Sequence, residues 1–361
     1  MNPTRELHDL GQSLWLDNIT RSMLDKGTIE HYIKHLDVTG LTSNPSIFKK
    51  AVVDSNAYDK AIRSSSADTA EELFFQLALE DLRRAADLFA DVHRETDGVD
   101  GWVSLEVSPL LADDAEATKA AAADLHKRAE RDNLFIKIPG TAAGCDAIEA
   151  SIFAGVPVNV TLLFSRQQTL AAAEAWMRGI ERRIDAGLDP QVTSVLSLFV
   201  SRWDVAVADR VPDALKDKLG IAVASQTYAA YLELCRSPRW QALAAKGVKP
   251  QRLLWASTST KDPESRDTLY VESLAAPGTI NTIPDKTLKA FADHGQLSGA
   301  LPVDGAQAEE TLAQFSDAGI DLDALAEQLQ REGADKFSDS WHALITDIGS
   351  ERQRLDQAAD S

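Results

Sequence analysis

Eight short β-rich stretches alternate with helical ones along the chain, and this alternation constrains the fold more than any other feature. The stretches fall at residues 13–19, 38–44, 101–108, 134–140, 157–164, 192–199, 252–258 and 279–284. Between them run helical segments such as AEATKAAAADLHKRAERD, with charges on one face, and SRQQTLAAAEAWMRGIERRIDAG, which ends in a glycine suited to a helix C-cap. Strands alternating with helices build a parallel sheet, and eight such units point to a closed (β/α)8 TIM barrel rather than an open doubly wound sheet. No GxGxxG follows the first strand, which removes the usual signal of a dinucleotide fold. Residues 55–98 and 201–248 exceed a minimal crossover and are read as additional helices, and a C-terminal helical extension begins at about Asp285. No linker divides the sequence, so one barrel domain over residues 1–361 is expected.

Composition narrows what such a barrel can do. Apolar residues make up 44% and charged residues 26%, a globular balance that can fill one large core. The formal charge of −19 argues against nucleic-acid or anionic-membrane partners, yet leaves room for a small phosphorylated ligand that feels only its local pocket. No apolar run approaches the roughly 20 residues of a membrane span, and the polar start MNPTRELHDLGQ reads as neither signal nor transit peptide. A cytoplasmic location is therefore expected. Cys145 and Cys235 form no CxxC or metal spacing and read as reduced thiols. The seven histidines are scattered along the chain and do not support a metal site. Composition does not fix the oligomeric state.

In a parallel barrel, chemistry gathers where the strands end. Those ends carry Asp17, Asn44, Glu106, Lys137, Asn159 with Thr161, Ser197, Ser257 and Asn281, so a ring of hydrogen-bonding side chains is expected to face one mouth. Each also has a purely structural reading. Asn44 precedes Pro45 and suits an Asx-turn; Glu106 and Lys137 could form a buried salt bridge; a lysine at a strand end commonly snorkels. Their coincidence favours a site, because an unpaired buried polar group costs about 1–3 kcal/mol.

Lys137 sets the direction of the chemistry. It stands in LFIKIPG between Leu134, Phe135 and Ile136 on one side and Ile138 on the other. An apolar wall disfavours an ammonium and favours the free amine that forms a Schiff base, an electron sink for carbon–carbon cleavage beside a ketone.

The segments LWLDNITR, TGLTSNPSIFKKAV, SLEVSPLLADD, FIKIPGTAAG, NVTLLFS and LSLFVSR resemble transaldolase, in order along nearly the whole chain. The resemblance implies a (β/α)8 barrel, without metal or organic cofactor, acting in the non-oxidative pentose phosphate pathway. Its reaction moves a dihydroxyacetone unit from sedoheptulose 7-phosphate or fructose 6-phosphate to glyceraldehyde 3-phosphate or erythrose 4-phosphate. It makes Lys137 the imine-forming lysine and Asp17 the acid–base group at the ketose C4 hydroxyl. Glu106 becomes the proton shuttle, through a water held by Thr161. Asn44 and Asn159 would hold the dihydroxyacetone hydroxyls with Ser197 beside them, Phe199 would lack the hydroxyl that aids release of the three-carbon unit, and Arg202 would meet the phosphate, with Ser257 as a further contact. One departure stands out: where better-known members carry Ala-Ser-Phe-Arg, this chain reads WASTSTKDP, with Ser259 at the arginine position and Lys261 as the candidate replacement charge. Three readings compete: transaldolase, another lysine-imine aldolase that releases its product, and a catalytically silent sugar-phosphate-binding barrel.

Overall fold

The computed structural model describes residues 2–53 and 55–359. All eight expected strands form: β1 (Ser13–Asp17), β2 (Val38–Thr42), β3 (Val103–Glu106), β4 (Leu134–Pro139), β5 (Val158–Leu163), β6 (Ser194–Phe199), β7 (Arg252–Ala256) and β8 (Ile280–Ile283). They lie parallel in the order β2-β1-β8-β7-β6-β5-β4-β3. The two ends of that order meet at a bridge between Gly40 and Trp102, reinforced where Leu41 N donates to Trp102 O (2.9 Å) and Gly101 N to Thr39 O (2.8 Å). The sheet thus closes into the expected barrel. Closure depends on Gly40, because a Cβ there would come within 2.7 Å of the Trp15 ring and 2.9 Å of Trp102 O.

Helices follow the strands as crossover geometry requires. Ala115–Ala129 follows β3, Ala142–Phe153 follows β4 and Arg166–Asp185 follows β5. Local chemistry starts them: Asp114, Thr141 and Ser165 each accept a backbone N–H of the first turn through a side-chain oxygen. The long segment after β2 holds the helix Ala70–Leu88, and the one after β6 holds Leu219–Arg236. The latter begins on Asp204, whose carboxylate accepts from Leu219 N (2.8 Å) and Gly220 N (3.2 Å). The extension after β8 comprises Asp285–His294, Ala306–Asp317 and Leu322–Ala359. At a rise of 1.5 Å per residue the last of these is about 57 Å long, enough to reach across a barrel end.

Alternation along the strands fills the lumen in layers. At the N-terminal end, Arg252 Nη2 donates to Ser13 Oγ, and Asp100 accepts from Ser13 Oγ and Trp15 Nε1. Above that polar plug lie Trp15, Trp102 and Phe135, the last two stacked with centroids 4.0 Å apart. One layer further, side chains turn polar again, and there the candidate residues meet.

Candidate active site

Three of the expected residues come together through register alone. Glu106 pairs with Lys137 across β3 and β4, and Lys137 pairs with Asn159 across β4 and β5. Residues paired across adjacent parallel strands present side chains on one face, here the lumen. The Lys137 ammonium donates to Ser43 O at 3.1 Å and lies 3.5 Å from Glu106 Oε2. Its wall is therefore apolar only along the stem; a carboxylate and a carbonyl face the amine. Asn159 Nδ2 donates to Ser104 Oγ (3.1 Å), and Ser197 Oγ donates to Asn159 Oδ1 (2.7 Å), extending the polar row to β6.

Asp17 closes the ring from β1. Thr42 Oγ1 donates to its Oδ1 at 2.8 Å, and the Thr42 and Thr282 hydroxyls lie 2.6 Å apart. Burial pushes the Asp17 carboxyl above its ordinary pKa, against the opposing pull of Lys137, the Thr42 hydrogen bond and Lys261. Burial raises Glu106 as well, opposed by Lys137, while the Asp17 charge pushes it further up. Lys137 thus faces two carboxyls, Glu106 buried and Asp17 half-buried, whose protons are held more tightly than in water. Apart from the 3.5 Å ion pair to Lys137, the Glu106 carboxyl has no hydrogen-bond partner, and Thr161 Oγ1 has none either. Thr161 sits beside a break in β5, where Leu162 adopts a left-handed backbone (φ 58°) and the ladder register shifts. Such bulges re-aim side chains near active sites.

A second group lies above the lumen. Arg202 opens the helix Ser201–Val207 directly after β6, with its guanidinium carbon 4.9 Å from the Phe199 ring centroid. Its Nη1 is buried without a hydrogen bond. Ser257, also left-handed (φ 57°), exchanges a 2.8 Å hydroxyl contact with Ser201, and Ser201 N donates to Ser257 O. These contacts tie the β7 loop to the start of the Arg202 helix. Lys261 is exposed on that loop, donates to Ser259 Oγ (2.9 Å), and its charge reaches Asp17.

Two expectations change. Asn281 does not face the mouth: its Oδ1 accepts from Thr258 Oγ1, while its neighbour Thr282 points inward to Thr42. A one-residue offset in reading the strand end reverses the face. Asn44 lies beyond β2, where its Oδ1 accepts from Ile47 N (3.1 Å) at the start of the helix Pro45–Val53. That oxygen caps the helix, a structural role of the kind its place before Pro45 suggested, though not the i→i+2 contact of an Asx-turn. Sequence reasoning passed over Thr42, Ser104 and Thr282; Ser104 lies two residues before Glu106 on β3, and Thr42 pairs with Asp17 across β2 and β1. Two histidines, His31 and His35, do stand one helical turn apart, with ring centroids separated by 4.7 Å. Among the described residues no group of three or more His, Cys, Asp or Glu is placed to hold a metal ion. A cleft of about 630 Å³ beside Arg166, Gln226 and Asp321 includes none of the lumen residues. Among the described residues no helix is long and apolar enough to cross a membrane.

Comparison with known proteins agrees with this geometry. The family profile described as Transaldolase/Fructose-6-phosphate aldolase matches residues 14–348. The chain is 43% identical to a protein named transaldolase from Frankia alni, covering 98% of each chain. It is 44% identical to a transaldolase from Thiobacillus denitrificans, covering 97% of this chain and all of the other. A transaldolase from Neisseria gonorrhoeae is 41% identical over 94% of this chain and 97% of its own.

Proposed function

The chain belongs to the transaldolase/fructose-6-phosphate aldolase family, and from that premise we propose that Lys137 forms a Schiff base with a ketose phosphate and passes its dihydroxyacetone unit to an aldose phosphate. The donors are fructose 6-phosphate and sedoheptulose 7-phosphate. The acceptors are erythrose 4-phosphate and glyceraldehyde 3-phosphate, as in the non-oxidative pentose phosphate pathway of a cytoplasmic enzyme. One observation carries the reading: a buried lysine amine lies within the fields of two separate carboxyls, both raised by burial.

The steps follow from that arrangement. The amine of Lys137 attacks the ketose C2 carbonyl. Glu106, through a water held with Thr161, moves the protons that let the carbinolamine lose water. Glu106 Oε1 and Thr161 Oγ1, buried without a partner, support this role. Asp17 then takes the C4 hydroxyl proton as the C3–C4 bond breaks and its electron pair enters the iminium, giving an enamine and a free aldose. A carboxyl with a raised pKa suits both removal and return of that proton. The enamine attacks the incoming aldose carbonyl, Asp17 returns the proton, and hydrolysis frees Lys137. Asn44, Asn159 and Ser197 hold the hydroxyls of the three-carbon unit beside Phe199; Arg202, Ser257 and Lys261 meet the phosphate, the lysine as a point charge where an arginine would supply a fork.

The test is an exchange assay with fructose 6-phosphate, run with and without erythrose 4-phosphate, together with borohydride trapping. Transfer that requires the acceptor, and an adduct on Lys137 that Lys137→Arg abolishes, are expected. Rapid release of dihydroxyacetone without acceptor favours the aldolase reading, and an adduct on Lys261 or Lys286 overturns the assignment of the lysine.

A further inference from the structure

The chain contains its own standard for a structural buried arginine. Arg252, at the closed end of the barrel, donates to Gly278 O, Val99 O, Asp100 Oδ1, Ser13 Oγ and Thr279 O. Arg202, at the open end, is held in another way. Its guanidinium carbon lies 4.9 Å from the Phe199 centroid and 5.8 Å from that of Phe337, and its Nη1 is buried with no hydrogen bond. Ring faces attract a guanidinium and restrict its plane without occupying its N–H groups. An arginine held in this way keeps its fork for a ligand.

Phe337 comes from the helix Leu322–Ala359, far along the chain from the barrel strands. Two features bring it there. Gln330 Nε2 donates to both Gly140 O and Leu162 O at 3.0 Å, pinning the helix to the ends of β4 and β5. Leu162 is the residue whose left-handed backbone interrupts the β5 ladder. One turn on, Gly333 lets the helix approach closely: a Cβ there would come 2.9 Å from Leu162 Cδ2 and 3.2 Å from Arg202 Nη1. Glycine inside a helix weakens it, so its presence at the point of closest approach needs a packing reason.

We propose that this helix completes the phosphate subsite, with Phe337 acting as a positioning residue that packs edge-on beside Phe199, the centroids 6.4 Å apart and the planes at 62°, so that the two rings form a corner which fixes the guanidinium for a substrate phosphate. The proposal rests on the reading of Arg202 given above. Bidentate contact needs the planar fork in one orientation, and two rings set at an angle on adjacent sides restrict it more narrowly than one.

The test compares Phe337→Leu, which keeps apolar volume but loses the ring face, with Phe337→Tyr, which keeps the face. Phe337→Leu should raise KM for fructose 6-phosphate about three- to tenfold and leave the response to unphosphorylated fructose unmoved. Phe337→Tyr should restore a KM close to that of the unmodified enzyme. The rise in melting temperature that inorganic phosphate gives the unmodified enzyme should shrink in Phe337→Leu. If that variant does not fold, Gly333→Ala, whose methyl meets Arg202 Nη1, carries the same KM criterion. An unchanged KM, or equal losses on both sugars, overturns the proposal, since the helix would then only support the mouth. Failure of the functional reading looks different: the unmodified enzyme itself would neither exchange nor trap fructose 6-phosphate.

Discussion

At the scale of single residues, the site holds ionisable groups where folding alone would not favour them. Asp17 shows the cost. Burial raises its carboxyl pKa, so at neutral pH and above the ionised form opposes folding, and that penalty fades as pH falls through the folded value toward the unfolded one of about 3.9. Asp17→Asn removes the charge and can still accept the Thr42 hydrogen bond. It should therefore melt above the unmodified protein at about pH 8, with the difference closing toward about pH 4, while ketose cleavage is largely lost. Melting curves across pH check this, and a pH-independent difference refutes it. The same scale shows what the sequence made legible. Lys137, Glu106 and Asp17 stood out because a charge in a β-rich apolar run violates the pattern around it. Thr42, Ser104 and Thr282 did not, because threonine and serine fit a strand whether or not they face a lumen.

At the scale of elements, all eight strands lay in the windows their apolar runs marked, since the alternation of strand and crossover is written along the chain. What faces what was less accessible. Asn281 was placed on the wrong side because its face depends on one residue of register, which the sequence of β8 does not reveal. The β2–β3 seam was equally hidden: it joins Gly40 to Trp102 through a narrow bridge, and its tolerance depends on the missing Cβ of Gly40. Gly40→Ala would meet the Trp15 ring and the Trp102 backbone, a form of overpacking that typically costs about 1–3 kcal/mol. Gly349→Ala in the helix Leu322–Ala359 supplies the contrast, since its Cβ would touch only Ala70 Cβ at 3.8 Å. Thermal melts should show Gly40→Ala lowered by several degrees and Gly349→Ala raised slightly, as expected for alanine in a helix. Similar shifts in both would mean that the seam has slack.

At the scale of the whole molecule, the proposed function requires a chain of formal charge −19 to admit anionic sugars. On that reading the distant surface repels them, while Arg202 and Lys261 attract them at close range. Salt separates the two effects, because the Debye length falls from about 30 Å at 0.01 M to about 10 Å at 0.1 M and a partly buried contact is screened less. Raising salt across that range should increase kcat/KM for fructose 6-phosphate and leave unphosphorylated fructose flat; a steady fall would show that the mouth's own positive field dominates. The helix over the mouth also has a meaning in time. Every strand, Lys137, Glu106 and Asp17 precede residue 322, and synthesis proceeds at roughly 5–20 residues per second. A growing chain can therefore begin assembling its barrel before Gln330, Gly333 and Phe337 have been made. Until they arrive, Arg202 has one ring beside it instead of two; on the function proposed above, the nascent enzyme therefore acquires its Schiff-base amine first and its grip on phosphorylated sugar last.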